Sequence, residues 1–195
     1  MPNWCANHLV LNHSDLKMVD RALQALNRGE LLQEFIPIPQ ELREHDPHDP
    51  DRPQEVTERL LEQYGTVDWY HWCLNNWGTK WDIGEAGCAV SQDDGSIQAV
   101  FDSAWSPPLK AYGELYRMGF DVQGLYYEPG MVFAGIWENG DDDYYSGWSD
   151  SREARDMLPG ELDDVFGISE SLEEFEREDM EDLHRWVEDG AKRSN

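Results

Sequence analysis

Lysine is nearly missing from this chain. It supplies four of 195 residues and, with eleven arginines, faces 41 aspartates and glutamates, for a formal net charge of −26. Each phosphate contact needs a basic group, so this deficit argues against direct binding to nucleic acid or to an anionic membrane. Long apolar runs are missing too: none approaches the ~20 residues of a membrane span. The start, "MPNWCANHLV", has neither the basic residues nor the apolar stretch of a secretory signal, and the expected compartment is the cytoplasm. Cysteine is scarce. Cys5, Cys73 and Cys88 are odd in number and form no CxxC pair, which fits free thiols in a reducing compartment rather than a disulfide framework. No His–Asp pattern accompanies them to make a thiol nucleophile, and no glycine-rich phosphate loop is present. No cofactor and no catalytic residue is expected.

What the chain does hold is aromatic surface, at 12% of residues including nine tryptophans. That suffices for the core of one domain with additions. "HLVLNH" (8–13) alternates as a first strand. Ser14 is placed to cap a helix with Leu16, Val19, Leu23 and Leu26 on one face and Gly29 as its stop. "FIPIPQEL" reads as extended through its prolines, and "REHDPHDPDRPQ" as a loop. Residues 54–76 read as two short helices broken at Gly65, with Leu60, Leu61 and Tyr64 inward on the first. "GCAVSQDDGSIQAVFDSAW" reads as two strands about an Asp94-Gly95 turn. A helix is expected from Ser106-Pro107, burying Leu109, Tyr112, Leu115 and Tyr116 and ending at Gly119. "FDVQGLYYE" and "MVFAGIWEN" are two more strands, and "DDDYYSGW" an edge strand. With the helical insertion of about 40–82 set aside, the order strand, helix, strand, strand, helix, strand is the ferredoxin-like split βαβ plan of an α+β protein, with extra strands at its end.

The expected division is a ferredoxin-like domain at 1–149 and an acidic helical segment at 150–195. In the latter, "PGELDDVFG" is a short helix with Leu162, Val165 and Phe166 as its apolar side. Ser171 and Glu174 have capping-box spacing for a last helix whose Leu172, Phe175, Leu183, Trp186 and Val187 suit a packed face. Charge concentrates here. Residues 1–135 carry 21 acidic and 9 basic groups, a net of −12, and residues 136–195 carry 20 and 6, a net of −14 in less than half the length.

Four stretches, "MPNWCANHL" at the start, "WGTKWD" at 77–82, "FDSAWSPP" at 101–108 and "YYEPGMVFAG" at 126–135, together resemble the YubB-like family. "LDDVFGISES" (162–171) resembles that family's C-terminal part, and His13 stands where the family pattern has a glycine. The resemblance implies a ferredoxin-like domain and a setting on plasmids and prophages, and it implies no reaction.

Two groups of residues are candidate sites. The first is acidic: Asp141, Asp142 and Asp143, with Glu170, Glu173, Glu174, Glu176, Glu178, Asp179, Glu181 and Asp182. Eight of the thirteen residues from Glu170 to Asp182 are acidic, and on a helix rising about 1.5 Å per residue this is roughly one charge per 2.4 Å, against about one per 1.7 Å for duplex DNA. Such an array fits phosphate mimicry: an acidic protein occupying the DNA groove of a basic host protein, as an anti-restriction or anti-CRISPR factor of a mobile element would. The plain alternative is a solvated face whose charge serves solubility in a structural or assembly protein. The second group is Trp77, Lys80, Trp81, Asp82 and Trp105, with Asn3 or Trp4 nearby. It reads either as a pocket for a nucleotide or other small molecule, with rings for stacking and Lys80 for an anion, or as core, with Thr79 and Asp82 capping backbone groups. Three further motifs weigh less. "HDPHDPD" (45–51) has metal-ligating side chains but no third cluster to join them, "DDD" lacks the oxygen spacing of a calcium loop, and Ser106 lacks a nucleophile elbow. No metal is expected.

Overall fold

The computed structural model describes residues 3–44, 46, 49–84, 88–93 and 95–193, the side chains of 93, 183 and 187–193 apart. The chain is α+β and divides into two units, Met1–Tyr144 and Tyr145–Asn195.

The first unit is organised by an antiparallel sheet. Its strands are β1 (Trp4–Asn12), β2 (Cys88–Asp93), β3 (Ser96–Ala104), β4 (Asp121–Glu128), β5 (Phe133–Glu138) and β6 (Asp141–Ser146), in the order β2-β3-β1-β4-β5-β6. Alternation sets its faces, because successive side chains point to opposite sides. Cys5, Asn7, Leu9 and Leu11 of β1 are buried, as are Ile97, Ala99, Phe101 and Ser103 of β3, while Gln98, Val100 and Asp102 between them are exposed. Asp93 pairs with Ser96 across the hairpin, and Asp94 of the expected turn lies outside the described residues.

Helices from several parts of the first unit share the main core with this buried face. Helix α1 (Leu16–Arg28) contributes Val19, Ala22, Ala25 and Leu26, and stops at Gly29, whose φ of 71° is the left-handed conformation glycine adopts without a Cβ clash. Its cap is Asp15, whose carboxylate accepts from Lys17 N, rather than Ser14, and Leu16 is exposed. The inserted segment runs through α2 (Leu31–Phe35), α3 (Gln40–Arg43), α4 (Gln54–Tyr64) and α5 (Trp69–Asn76). The break at Gly65 is where the sequence puts it, and α3 occupies the end of a stretch, 35–42, read as extended. On α4 only Leu60 is buried, and Leu61 faces solvent.

Helix α6 (Leu109–Arg117) starts three residues after Ser106. Pro108 is its cap, and the Ser106 hydroxyl instead donates to Gly78 O at 2.8 Å. Tyr112 and Leu115 are buried, whereas Tyr116 is exposed. Tyr112 lies flat on Gly124 of β4, where a Cβ would stand 2.5 Å from the ring, so only glycine permits this helix–sheet approach.

The second unit holds α7 (Ser151–Met157), which sequence reading missed, α8 (Gly160–Phe166) and α9 (Ile168–Arg193). Its described core is small: Trp148, Ala154, Leu158, Leu162 and Ile168. Helix α9 begins before Ser171. The Asp163 carboxylate accepts from Ser169 N and Oγ, and Ser171 N already donates to Gly167 O within the first turn. Val165 is exposed on α8, and on α9 Phe175 and Trp186 are 63% and 75% exposed, so the apolar face expected to pack is open at those positions. Among the described residues no helix is long and apolar enough to cross a membrane.

Candidate functional site

Four stretches far apart in sequence meet at the end of β1. Pairing of β1 with β3 sets Trp4 opposite Ala104, and Trp105 N donates to Asn3 O at 2.9 Å. The Thr79 hydroxyl donates to Ala104 O at 3.2 Å and Ser106 Oγ to Gly78 O, tying the 77–82 segment to the same place. Beyond β4, the carboxylate of buried Glu128 accepts from Gly130 N and Met131 N at 2.9 and 2.6 Å, closing a turn. The Asn3 amide packs on that turn so closely that a Cβ at Gly130 would lie 2.6 Å from its Nδ2.

Within this corner the five residues of the candidate pocket separate into two roles. Trp77 is 2% exposed, sets its ring edge to face with Trp72 at 5.9 Å, and donates its indole N–H to Ile36 O at 2.9 Å. Asp82 caps α2: Oδ1 accepts from Leu32 N and Ile83 N, and Oδ2 from Gln33 N, at 2.7–2.8 Å. Burial pushes its carboxyl up to about 6 against the downward pull of those three N–H groups. Trp77 and Asp82 are therefore architecture.

Lys80 and Trp81 are half-buried and Trp105 is exposed, and together they form something more specific. The Lys80 ammonium lies over the Trp81 ring at 4.4 Å from its centroid, over Tyr70 at 5.6 Å and over Trp105 at 5.9 Å. Trp4 stacks on Trp81 with centroids 5.8 Å apart. Trp105 is 42% exposed and its φ of 64° is an unusual conformation for a bulky side chain. Tyr70 was not anticipated from sequence. It lies ten residues before Lys80, at the second position of α5, and only the fold turns it to the ammonium. Beside the corner opens a cavity of about 560 Å³ whose lining includes Arg28, Glu30, Arg43, Trp69, Lys80 and Asp82. Arg28 pairs with Glu30 and Glu34, and Arg43 donates to the Gln33 side chain.

The acidic candidates also separate. Asp141, Asp142 and Asp143 are exposed on β6, and Asp142 accepts the Tyr126 hydroxyl at 2.8 Å. On α9, Glu176 turns inward: its two oxygens accept from Ser151 N and Oγ at 2.7 and 2.8 Å, holding the start of α7. Glu173 pairs with Arg155, Glu174 with Arg177 at 3.7 Å and Asp182 with Arg185 at 2.8 Å. Glu170, Glu178, Asp179 and Glu181 are exposed and make no ion pair among the described residues. At about 100° per residue, Glu170, Glu174, Glu178 and Glu181 fall within roughly 80° of the helix circumference.

Burial pushes the Cys5 and Cys73 thiols up to about 12, which keeps them protonated at neutral pH. Two histidines of "HDPHDPD" lie outside the described residues, and among those described no three His, Cys, Asp or Glu side chains gather as a metal ion would require.

No family model matches the chain, and no curated protein sequence matches it. Among solved structures, the chain is similar to the crystal structure of a protein api92 from Yersinia pseudotuberculosis, of family model DUF1281. The identity is 13% and the TM-score 0.39, over 76% of this chain and 100% of that one.

Proposed function

We propose that this chain is an acidic, non-catalytic protein of a mobile genetic element that binds a basic, DNA-binding host protein in the cytoplasm by offering carboxylates in place of phosphates. The observation that carries this reading is the exposed row Glu170, Glu174, Glu178 and Glu181 on α9, in a chain of net charge −26. Asp179 and Asp182 carry further carboxylates on other sides of the same helix, and Asp141 and Asp143, taken by themselves, are exposed carboxylates on β6; Glu176 is occupied by α7. Self-repulsion along such a row costs stability and is relieved when cations face it. The YubB-like resemblance supplies the setting, in which blocking a restriction or CRISPR-type defence benefits the element. The strand order β2-β3-β1-β4, with α1 and α6 joining strands of that set, supports reading the first unit as ferredoxin-like.

The test is capture from bacterial lysate at low and high salt, with bound proteins identified by mass spectrometry. Basic DNA-binding proteins stripped by salt, and lost when Glu170, Glu174, Glu178 and Glu181 are all changed to lysine, are the expected result. Capture that survives the four changes ends the phosphate-mimic reading.

A second reading rests on the cavity beside Lys80. Three cations and two carboxylates line it, a balance opposite to that of the whole chain, which suits a small anion such as a nucleotide. A thermal-shift screen of nucleotides and sugar phosphates that stays flat removes it.

A further inference from the structure

We propose that Tyr70, Trp81 and Trp105 form a cage for an alkylammonium group, filled in the free chain by Lys80 and in the complex by a lysine side chain of the basic partner. The inference rests on the reading of this protein as a binder of basic proteins and names where the partner's side chain anchors.

Three ring faces converge on one nitrogen, at 4.4, 5.6 and 5.9 Å from their centroids. The negative face of each ring attracts a cation, and a cage of several rings is how proteins recognise ammonium groups. Lys80 makes no ion pair among the described residues, although the chain carries 41 carboxylates. Among the described residues the rings hold it, through contacts that an incoming ammonium reproduces one for one. Displacement therefore costs little at the cage itself.

Its surroundings favour exchange in two ways. The cavity of about 560 Å³ next to Lys80 gives the released side chain room to turn into. The chain's net charge of −26 draws basic segments in from solution. The rim also has the composition of an anchoring spot. Trp4 and Trp105 are each more than a third exposed, and Met131 stands exposed on the turn that Asn3 braces. Trp105 is held in its left-handed conformation by the hydrogen bond to Asn3 O, and strain of this kind is stored where a side chain must be presented.

The chain has only four lysines, 17, 80, 110 and 192, so 13C-lysine labelling resolves the ε-methylene of Lys80 by NMR, shifted upfield by the rings around it. The full-length protein is titrated with a peptide of nine lysines, and separately with tetramethylammonium chloride, each against sodium chloride at equal ionic strength. The expected result is movement of the Lys80 signal to the position of the other lysines with both probes. Lys80→Ala should bind tetramethylammonium at least tenfold more tightly than the unaltered chain, and Trp105→Ala in that background should lose the gain. A Lys80 signal that follows sodium chloride alone overturns the proposal, as does a folded Lys80→Ala with no gain. If Lys80→Ala does not fold, the NMR titration of the unaltered chain decides. The two readings fail separately: loss of lysate capture in the four-fold α9 variant concerns the acidic row, while the Lys80 signal reports on the cage.

Discussion

The two units divide their carboxylates differently between structure and display. In residues 1–144, with 25 acidic and 9 basic groups and seven of the nine tryptophans, several acids are structural parts: Asp68 caps α5, Asp82 caps α2 and Glu128 closes the turn after β4. In residues 145–195, with 16 acidic and 6 basic groups, Asp150, Asp163 and Glu176 do such work, and the exposed acids of α9 present charge to solvent. The difference teaches that acidity by itself does not identify a binding surface. What separates a cap from a displayed charge is whether backbone N–H groups already occupy its oxygens.

The largest effect that sharpens this contrast comes from the aromatic side. Trp77→Ala removes a fully buried indole together with its bond to Ile36 O, and it should cost about 3–5 kcal/mol. Urea unfolding followed by circular dichroism measures it. A loss below about 1 kcal/mol would mean that Trp77 is not core.

Next comes Asp82, where charge and architecture meet. Asp82→Ala strips acceptors from three backbone amides, for an expected loss of about 2 kcal/mol. Its pH behaviour has a definite sign. The folded carboxyl is raised to about 6, above its ordinary 3.8, so the folded state holds this proton more tightly than the unfolded chain does. The associated stability is present below about pH 4 and lost as pH rises through about 6. Stability should therefore rise as pH falls from 7 towards 5, and Asp82→Asn should flatten that slope. An unchanged slope would remove Asp82 as its source.

These two residues also show how much the sequence discloses. The alternation in β1 and β3, the break at Gly65 and the α+β mix of strands and helices are local signals and were legible. So was the alternative that Trp77 is core and Asp82 a cap, because large rings and short acids take those places for general physical reasons. Helix starts were misjudged at Ser14, Ser106 and Ser171: Asp15 caps α1, Pro108 takes the cap position of α6 without a side-chain bond, and α9 begins before Ser171, with Asp163 bonding Ser169; a serine offers no mark of having lost that competition. The corner itself was only half legible. Lys80, Trp81 and Trp105 drew notice as residue types, whereas Tyr70 and the Asn3–Gly130 contact depend on strand register and on the path of the insertion, which no short window of sequence contains.

Glu176 and its neighbours give a comparison inside one helix. Glu176→Gln keeps one acceptor but loses the charge that serves Ser151 N and Oγ, and should destabilise the second unit by about 1 kcal/mol. Glu178→Gln, two residues on, removes an exposed charge from a crowded row and should be neutral or slightly stabilising, by a few tenths of a kcal/mol. Thermal melts at low and at 0.5 M salt, roughly, separate the two: repulsion fades with salt while a cap does not. Equal effects from both substitutions would erase the distinction between cap and display.

The smallest expected effect tests the open side of α9. Phe175→Ser and Trp186→Ser alter side chains that are 63% and 75% exposed, so in the free protein each should change stability by less than about 0.5 kcal/mol. Against Trp77→Ala this is a contrast between two tryptophan positions in one chain, and exposure alone predicts its direction. A large loss on replacing Trp186 would show that the helix buries that ring in solution, and that apolar packing joins charge in setting what α9 can meet. No loss leaves the ring free, on the same helix as the row of Glu170, Glu174, Glu178 and Glu181, to add an apolar contact when a basic partner binds.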